Sequence, residues 1–161
     1  MMAGIVIPYR GFPIETLRPV VEAWEKEYHG DQFGIELTVD ASLADLLRLA
    51  NGPMSALLVL VQGGPVGYIG IDFWPNPAGP GLMASEKYWY VMPEARGRDS
   101  LKLLKSARDY ARQAGASKML FTASRMASNL HDKVCRIYEH MGMRHFETTY
   151  CCDLSQEKGG A

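Results

Sequence analysis

The sequence lacks the features that mark secreted, metal-binding and membrane proteins. Its three cysteines are odd in number, two are adjacent, and no metal-ligand spacing occurs, so neither a disulfide framework nor a metal site is expected. No apolar run approaches the ~18 residues of a membrane span, and the N-terminus has no basic lead of a signal peptide. A formal net charge of -1 gives no general affinity for nucleic acid or anionic membrane. A reducing cytoplasm is the default location.

What the chain does contain suits a single folded domain. It has 161 residues, of which 47% are hydrophobic and 22% are charged, enough to bury one sizeable core. No repeat, low-complexity tract or linker divides it. We therefore expect residues 1–154 to form one domain and the polar tail 155–161 to be flexible.

Hydrophobic periodicity predicts the order of the elements. The predicted helices cover residues 14–28, 42–50, 100–115 and 130–141. The predicted strands cover residues 4–9, 54–62, 66–74, 82–92, 118–123 and 144–154, and segment 33–39 is either a short strand or an extended loop. Because early strands are joined by hairpins and later ones by helices, the order predicts an α/β (α+β) fold with a mixed sheet and helices on both faces.

For the second and third helices the sequence predicts both an N-cap and a buried stripe. Ser42 is the expected N-cap of the second helix, whose inward side chains would be Leu43, Leu46, Leu47 and Ala50. Asp99 or Ser100 is expected to cap the third helix. Its inward side chains would be Leu101, Leu104, Ala107, Ala111 and Ala114.

The most informative stretch is a strand that stops at Pro93 and leads through a basic turn into that third helix. The free N–H groups and the positive end of the helix dipole point to one place. Arg96, Arg98 and Lys102 add positive charge there. The arrangement predicts a phosphate-binding turn. An ordinary strand–loop–helix connection with solvated arginines is the alternative.

Two motifs resemble those of one enzyme family. The segment Val91-Met92-Pro93-Glu94-Ala95-Arg96-Gly97 resembles the V-x-P-x-x-R-G that opens the acetyl-CoA turn of GNAT-family N-acetyltransferases. The segment Ile137-Tyr138-Glu139-His140-Met141-Gly142-Met143 resembles the family's Y-E-x-x-G-F, with Met in place of Phe. The resemblance is specific over residues 82–154. Residues 4–81 match only the family's order of elements.

The resemblance implies a GNAT-like acyl-CoA N-acyltransferase fold, a mixed central sheet splayed between its fourth and fifth strands. Acetyl-CoA would lie in that opening. Its pantetheine arm would bond to backbone groups of Tyr90, Val91 and Met92. Its pyrophosphate would rest on the turn formed by Arg96, Gly97, Arg98, Asp99, Ser100 and Leu101.

The turn departs from the family's R-G-x-G-x-G/A pattern. It is one residue shorter before Leu103-Leu104, and the second and third glycines are missing. Asp99 also brings a negative charge toward a pyrophosphate, unless it points back as the helix N-cap. These departures keep a second function open, a non-catalytic GNAT-fold binding or assembly module with weak or lost acetyl-CoA binding. A third possibility is a phosphate- or nucleotide-binding protein of another α/β fold, but the Gly-rich loop with Lys-Ser/Thr that is usual in such proteins is absent.

The last helix also departs from the family pattern, in which an Asn lies seven residues before the Tyr. Here that position is His131, and Asn129 lies nine residues before Tyr138. Asn129 is expected in the loop before the helix or as its cap, from where it could turn toward the cofactor. His131 is a candidate for the same contact. A solvated histidine at a helix start is the alternative.

The resemblance assigns the chemistry to acetyl transfer by direct attack in a ternary complex. It implies Tyr138 as the general acid, although Tyr138 could also be a core side chain. Glu86 is the best candidate for the base, since strand alternation places it on the same face as Tyr88 and Tyr90. An exposed strand residue is the alternative for Glu86, and Asp72 and His145 are weaker candidates.

The partners follow from the same resemblance. The acceptor would be a primary amine on an unidentified small molecule or peptide. Neither metal, nucleic acid nor membrane is expected. A homodimer is open, because dimers are common in the family.

Overall fold

The computed structural model describes residues 4–152 and Leu154. The chain packs as two compact units. Of the described residues, the first holds 4–26 together with Thr38–Thr122, and the second holds Glu27–Leu37, 123–152 and Leu154. The tail 155–161 expected to be flexible lies outside the described residues. No described helix is long and apolar enough to cross a membrane.

The regular elements follow the predicted order along most of the chain. The strands are β1 (Ile5–Pro8), β2 (Ser55–Val61), β3 (Pro65–Pro75), β4 (Leu82–Val91) and β5 (Ala116–Leu120). The α-helices are α1 (Arg18–Glu25), α2 (Val39–Asn51), α3 (Arg98–Gln113) and α4 (His131–His140). Short 3-10 helices cover Ile14–Leu17, Gly30–Phe33 and Pro93–Ala95.

The five strands among the described residues lie in the first unit and form one sheet in the order β1-β2-β3-β4-β5. The pairs are antiparallel except for β4 with β5, which is parallel. Side chains of α1 and α2 pack on one face with Leu57, Val59 and Tyr68. Helix α3 contacts β1, β2, β3 and β5, on the other face. The predicted mixed sheet with helices on both faces is therefore confirmed.

The phase of two helices differs from the prediction. In α2, Leu49 is fully buried and Leu47 is 40% exposed. The helix also begins at Val39, before the expected cap Ser42. In α3, Leu103 is buried beside Leu104 while Leu101 is only half-buried. Adjacent leucines left the inward face of both helices ambiguous, and packing against the sheet decides it.

Two predicted elements are wrong in extent. The helix expected over 14–28 is a 3-10 turn followed by α1, with Pro19 in the first turn of α1, where a missing N–H costs nothing. The strand expected over 144–154 is absent from its described residues, and Phe146 and Tyr150 are exposed there. Alternating side chains alone do not supply the neighbouring strand that a β-segment needs.

Candidate active site

The fourth and fifth strands separate partway along their length. Strand β4 is paired with β5 only from Leu82 to Ser85. Strand β5 ends at Leu120, whereas β4 continues to Val91. The opening predicted between the fourth and fifth strands of the sheet is therefore present, and it begins at Glu86.

Glu86 lies at the point of separation. Its side chain is buried, and its Oε2 accepts a hydrogen bond of 3.0 Å from the Thr122 N–H, just after β5. The β3–β4 register pairs Tyr88 with Gly70 but Glu86 with Ile71, so Lys87 is an extra residue in β4. Because this bulge interrupts the alternation, Glu86 faces the α3 side of the sheet. The expectation that it shares a face with Tyr88 and Tyr90 is wrong.

The other face of β4 holds a polar network under α2. The Tyr88 hydroxyl donates to Asp45 Oδ2 at 2.7 Å, and Asp45 pairs with Arg48 at 2.6 Å. Burial, and then the Asp45 carboxylate, raise the pKa of Tyr88. Asp72, a weaker candidate for the base, lies 3.7 Å from Arg48 in the same network. His145, the other, is exposed in the irregular segment after α4.

Successive residues of β4 direct their backbone N–H and C=O groups alternately toward β3 and away from it. The Met92 N–H donates to the Val66 carbonyl at 2.9 Å, so it faces β3. In an antiparallel pair the residues alternate, and Tyr90 therefore also directs its backbone groups to β3, whereas Val91 directs its groups away. Of the three residues expected to hold pantetheine, Val91 is the one whose N–H points into the opening.

The turn after β4 begins the α3 helix earlier than expected. Gly97, with φ 118 and ψ -133, precedes the first helical residue Arg98, and no side chain caps the helix. The first four N–H groups of a helix have no intrahelical partner. Here they belong to Gly97, Arg98, Asp99 and Ser100, and Gly97 and Arg98 are exposed. The Ser100 hydroxyl is buried without a hydrogen-bond partner among the described residues.

Asp99 is directed away from this turn. Its carboxylate accepts hydrogen bonds from the Gly4 N–H at 2.9 Å and from Gln62 Nε2 at 2.6 Å, and it pairs with Lys102. The bond from Lys102, followed by that from Gly4, lowers the pKa of Asp99. The expected N-cap, Asp99 or Ser100, is therefore wrong, since Gly97 is the N-cap. Asp99 instead links α3 to Gly4, just before β1, and to Gln62, just after β2.

The two arginines of the turn differ in position. Arg96 folds back on β4, where its Nε donates to the Val91 carbonyl at 2.9 Å and its guanidinium lies 5.5 Å from the Tyr90 ring centre. Arg98 is exposed at the first position of α3. The positive charge beside the N–H groups of the first turn of α3 therefore comes from Arg98. Arg96 instead contacts the end of β4.

The remaining predicted residues belong to the second unit. Tyr138 is buried on α4, and His131 is the first residue of that helix. Asn129 lies in the turn before α4, one of the two places expected for it. The Ser128 hydroxyl there accepts a hydrogen bond of 3.2 Å from the Leu130 N–H.

The second unit also contains a polar pocket of about 340 Å³ that the sequence did not reveal. Its lining includes His29, Arg125, Ser128, Asn129, His131 and Asp132. The His29 N–H donates to the Met126 carbonyl at 2.8 Å, which joins two segments distant in sequence. The spacing pattern could single out Asn129 and His131, but no local signal linked them to His29.

A model of the acetyltransferase (GNAT) family matches residues 18–143. The comparison with curated protein sequences gave no significant match. Among solved structures, a ribosomal-protein-alanine N-acetyltransferase from Brucella melitensis biovar Abortus 2308 superposes with a TM-score of 0.71 at 16% identity, over 94% of this chain and 99% of that chain. A transcriptional regulator from Bacillus halodurans C-125 superposes with a TM-score of 0.73 at 15% identity, over 93% of this chain and 100% of that chain.

An aminoglycoside N-acetyltransferase solved in complex with CoA gives a TM-score of 0.71 at 13% identity, over 94% of each chain. At these identities the likeness shows the fold alone. The family model adds the sequence pattern over most of the chain, including the turn before α3 and α4. The chain therefore belongs to the acetyltransferase (GNAT) family.

Proposed function

We propose that the protein transfers the acetyl group of acetyl-CoA to a primary amine by direct attack within a ternary complex. One observation carries the proposal: the opening between β4 and β5 ends beside the first turn of α3, where Gly97 and Arg98 are exposed. The opening suits an extended thioester arm, and the turn suits a pyrophosphate. Family membership supports acetyl transfer in general, and the CoA complex of a structural neighbour supports the co-substrate.

The residues present fit this co-substrate. The N–H groups of Gly97, Arg98, Asp99 and Ser100 can bind phosphate oxygens, with the charge of Arg98 beside them. Asp99, the residue that argued against a pyrophosphate, has its carboxylate engaged by Gly4, Gln62 and Lys102. The Val91 N–H can polarise the thioester carbonyl. Acetyl-CoA would supply the activated acyl group and a thiolate leaving group.

Proton transfer falls to two side chains. We assign Glu86 as the base that takes a proton from the amine, directly or through water. Its carboxylate is buried and lies where β4 and β5 begin to separate. A carboxylate can accept several hydrogen bonds, so its contact with Thr122 is compatible with that role. We assign the Tyr138 hydroxyl as the acid that protonates the leaving thiolate, because a phenolic hydroxyl carries its proton at neutral pH and is a hydrogen-bond donor.

Replacing the proposed acid tests this function. Tyr138→Phe removes the donated proton, so turnover should fall by about 10²–10⁴ while the affinity for acetyl-CoA stays the same. Calorimetry measures the affinity, and release of free CoA with a panel of primary amines measures turnover. Tyr150→Phe, at a residue that is 89% exposed, is the matched control and should change neither quantity.

Two results would contradict the proposal. Unchanged turnover in Tyr138→Phe would remove the assigned acid. If acetyl-CoA does not bind at about millimolar concentration, its binding free energy is weaker than about −4 kcal/mol. The proposed activity would then be contradicted. A non-catalytic binding or assembly module would then be the better description.

A further inference from the structure

The polar pocket of the second unit is rich in hydrogen-bond donors. Arg125 contributes a guanidinium with five N–H donors, and its side chain is 68% exposed. Asn129 contributes an amide group. The Ser128 hydroxyl accepts a bond from the Leu130 N–H, which leaves its own O–H to donate. Such a set of donors around one space is suited to carboxylate or phosphate oxygens.

The lining of the pocket carries little negative charge. Of the described residues that line it, only Asp132 carries a carboxylate. That carboxylate lies 2.8 Å from His131 Nδ1 and 3.9 Å from Arg125 Nη2. Because His131 is the closer partner and Arg125 stands at the limit of ion-pair distance, most of the Arg125 donors stay available to a ligand. A cationic group entering the pocket would instead meet the Arg125 guanidinium and a single carboxylate, Asp132, whose Oδ1 already contacts His131.

We propose that this pocket binds an oxyanion, a carboxylate or a phosphate, carried by the amine acceptor. Naming the acceptor as the source rests on the proposed acetyl transfer, whereas anion binding by the pocket does not. The protein would accordingly prefer amines that also bear an acidic group, such as amino acids, acidic peptides or phosphorylated amines. It would discriminate against polycationic amines, which need several free carboxylates.

The direct test is an NMR titration of the histidine imidazole resonances with inorganic phosphate at constant ionic strength. Phosphate should shift the signals of His29 and His131 saturably and leave those of His140 and His145 unchanged. Arg125→Gln should weaken this binding about tenfold or more, the usual effect of losing a hydrogen bond to a charged group. Arg144→Gln makes the same charge change at an exposed residue of the same unit outside the pocket lining, and should have no effect.

A second arm identifies the source of the anion. The titration is repeated with the protein saturated with acetyl-CoA. Phosphate that still binds beside acetyl-CoA supports an acceptor group. Phosphate that acetyl-CoA displaces competitively would assign the oxyanion to the co-substrate and overturn the acceptor assignment. If acetyl-CoA does not bind, the proposed function fails and the acceptor assignment fails with it, but the phosphate titration still decides whether the pocket takes anions.

A third arm uses tetramethylammonium as a cationic probe, and matched acceptors as substrates. Saturable shifts at His29 and His131 with tetramethylammonium but not with phosphate would overturn the proposal. In turnover assays an amino acid should exceed its carboxamide in kcat/KM by about tenfold or more, and Arg125→Gln should abolish that preference. Equal kcat/KM for the acid and the amide in the wild-type protein would likewise overturn it.

Discussion

Position 97 requires glycine because its backbone has φ 118 and ψ -133, a region that side chains with a Cβ rarely adopt. An added Cβ would meet no heavy atom within 4 Å, so the cost of Gly97→Ala is one of backbone strain alone. We expect a loss of about 1–3 kcal/mol in the free energy of unfolding. Urea denaturation measures it. Gly64→Ala is the control, since its added Cβ also meets nothing within 4 Å and its φ is not positive; equal effects would rule out strain at Gly97.

Asp99 contributes stability that depends on pH. Its folded-state pKa is lowered, chiefly by Lys102, so the contribution is present above the unfolded pKa of about 3.9 and is lost as pH falls through the lower folded value. Asp99→Asn should therefore lower the thermal midpoint at about pH 7 and have a smaller effect at about pH 3, where part of that contribution is lost. Asp109→Asn breaks a comparable pair with Arg112 on the same helix, but an exposed one, and should have little effect at either pH.

If Asp99→Asn lowered the thermal midpoint equally at both pH values, the negative charge of Asp99 would not be the source of its stabilising effect. The effect would then come from the packing and hydrogen bonds that an asparagine also changes. Asp99 also shows how a residue that looks unfavourable in a motif can be compatible with it. The missing glycines and the acidic residue were visible in the sequence, but the partners Gly4 and Gln62 lie far away along the chain.

At the scale of elements, the inward face of α2 gives a direct comparison between two neighbouring leucines. Leu49 is fully buried against the sheet, whereas Leu47 is 40% exposed. Leu49→Ala should cost about 2–5 kcal/mol of unfolding free energy, the usual result for a leucine in a packed core. Leu47→Ala should stay within about 0.5 kcal/mol. Urea denaturation of both variants measures the difference, and a larger loss at Leu47 would show that the helix has the opposite phase.

The sequence predicted most elements because their signals are local. The strand ended by Pro93, the hairpin at Gly63-Gly64 and the end of α4 at Gly142 all depend on neighbouring residues. The bulge at Lys87 depends on the register with β3, and alternation within β4 could not reveal it. The face of Glu86 was therefore predicted wrongly. The position of the turn before α3 was predicted correctly, but the bonds of Asp99 to Gly4 and Gln62 were not.

The pocket of the second unit was beyond local signals for the same reason. His29 and Arg125 are brought together by the hydrogen bond between His29 and Met126. A motif can mark Asn129 and His131 as residues near a ligand. It cannot supply the opposite wall, which comes from a segment without any motif.

At the scale of the whole molecule, buried apolar side chains are unevenly divided. Among the described residues, the buried hydrophobic side chains lie in the first unit apart from Tyr138. The second unit has as its described regular elements α4 and a short 3-10 helix. Because local opening is easiest where few apolar side chains are buried, the second unit should open without unfolding of the sheet.

Native-state hydrogen exchange tests this difference. The amides of α4 should exchange with an opening free energy lower than that of β2 and β3 by about 2 kcal/mol or more, and with a weaker dependence on urea. Leu49→Ala, which removes core packing in the first unit, should speed exchange in β2 and β3 and leave α4 unchanged, because α4 already exchanges through its own opening. If the substitution sped exchange equally in α4, the helix would open only with the sheet, and the chain would unfold as one cooperative body.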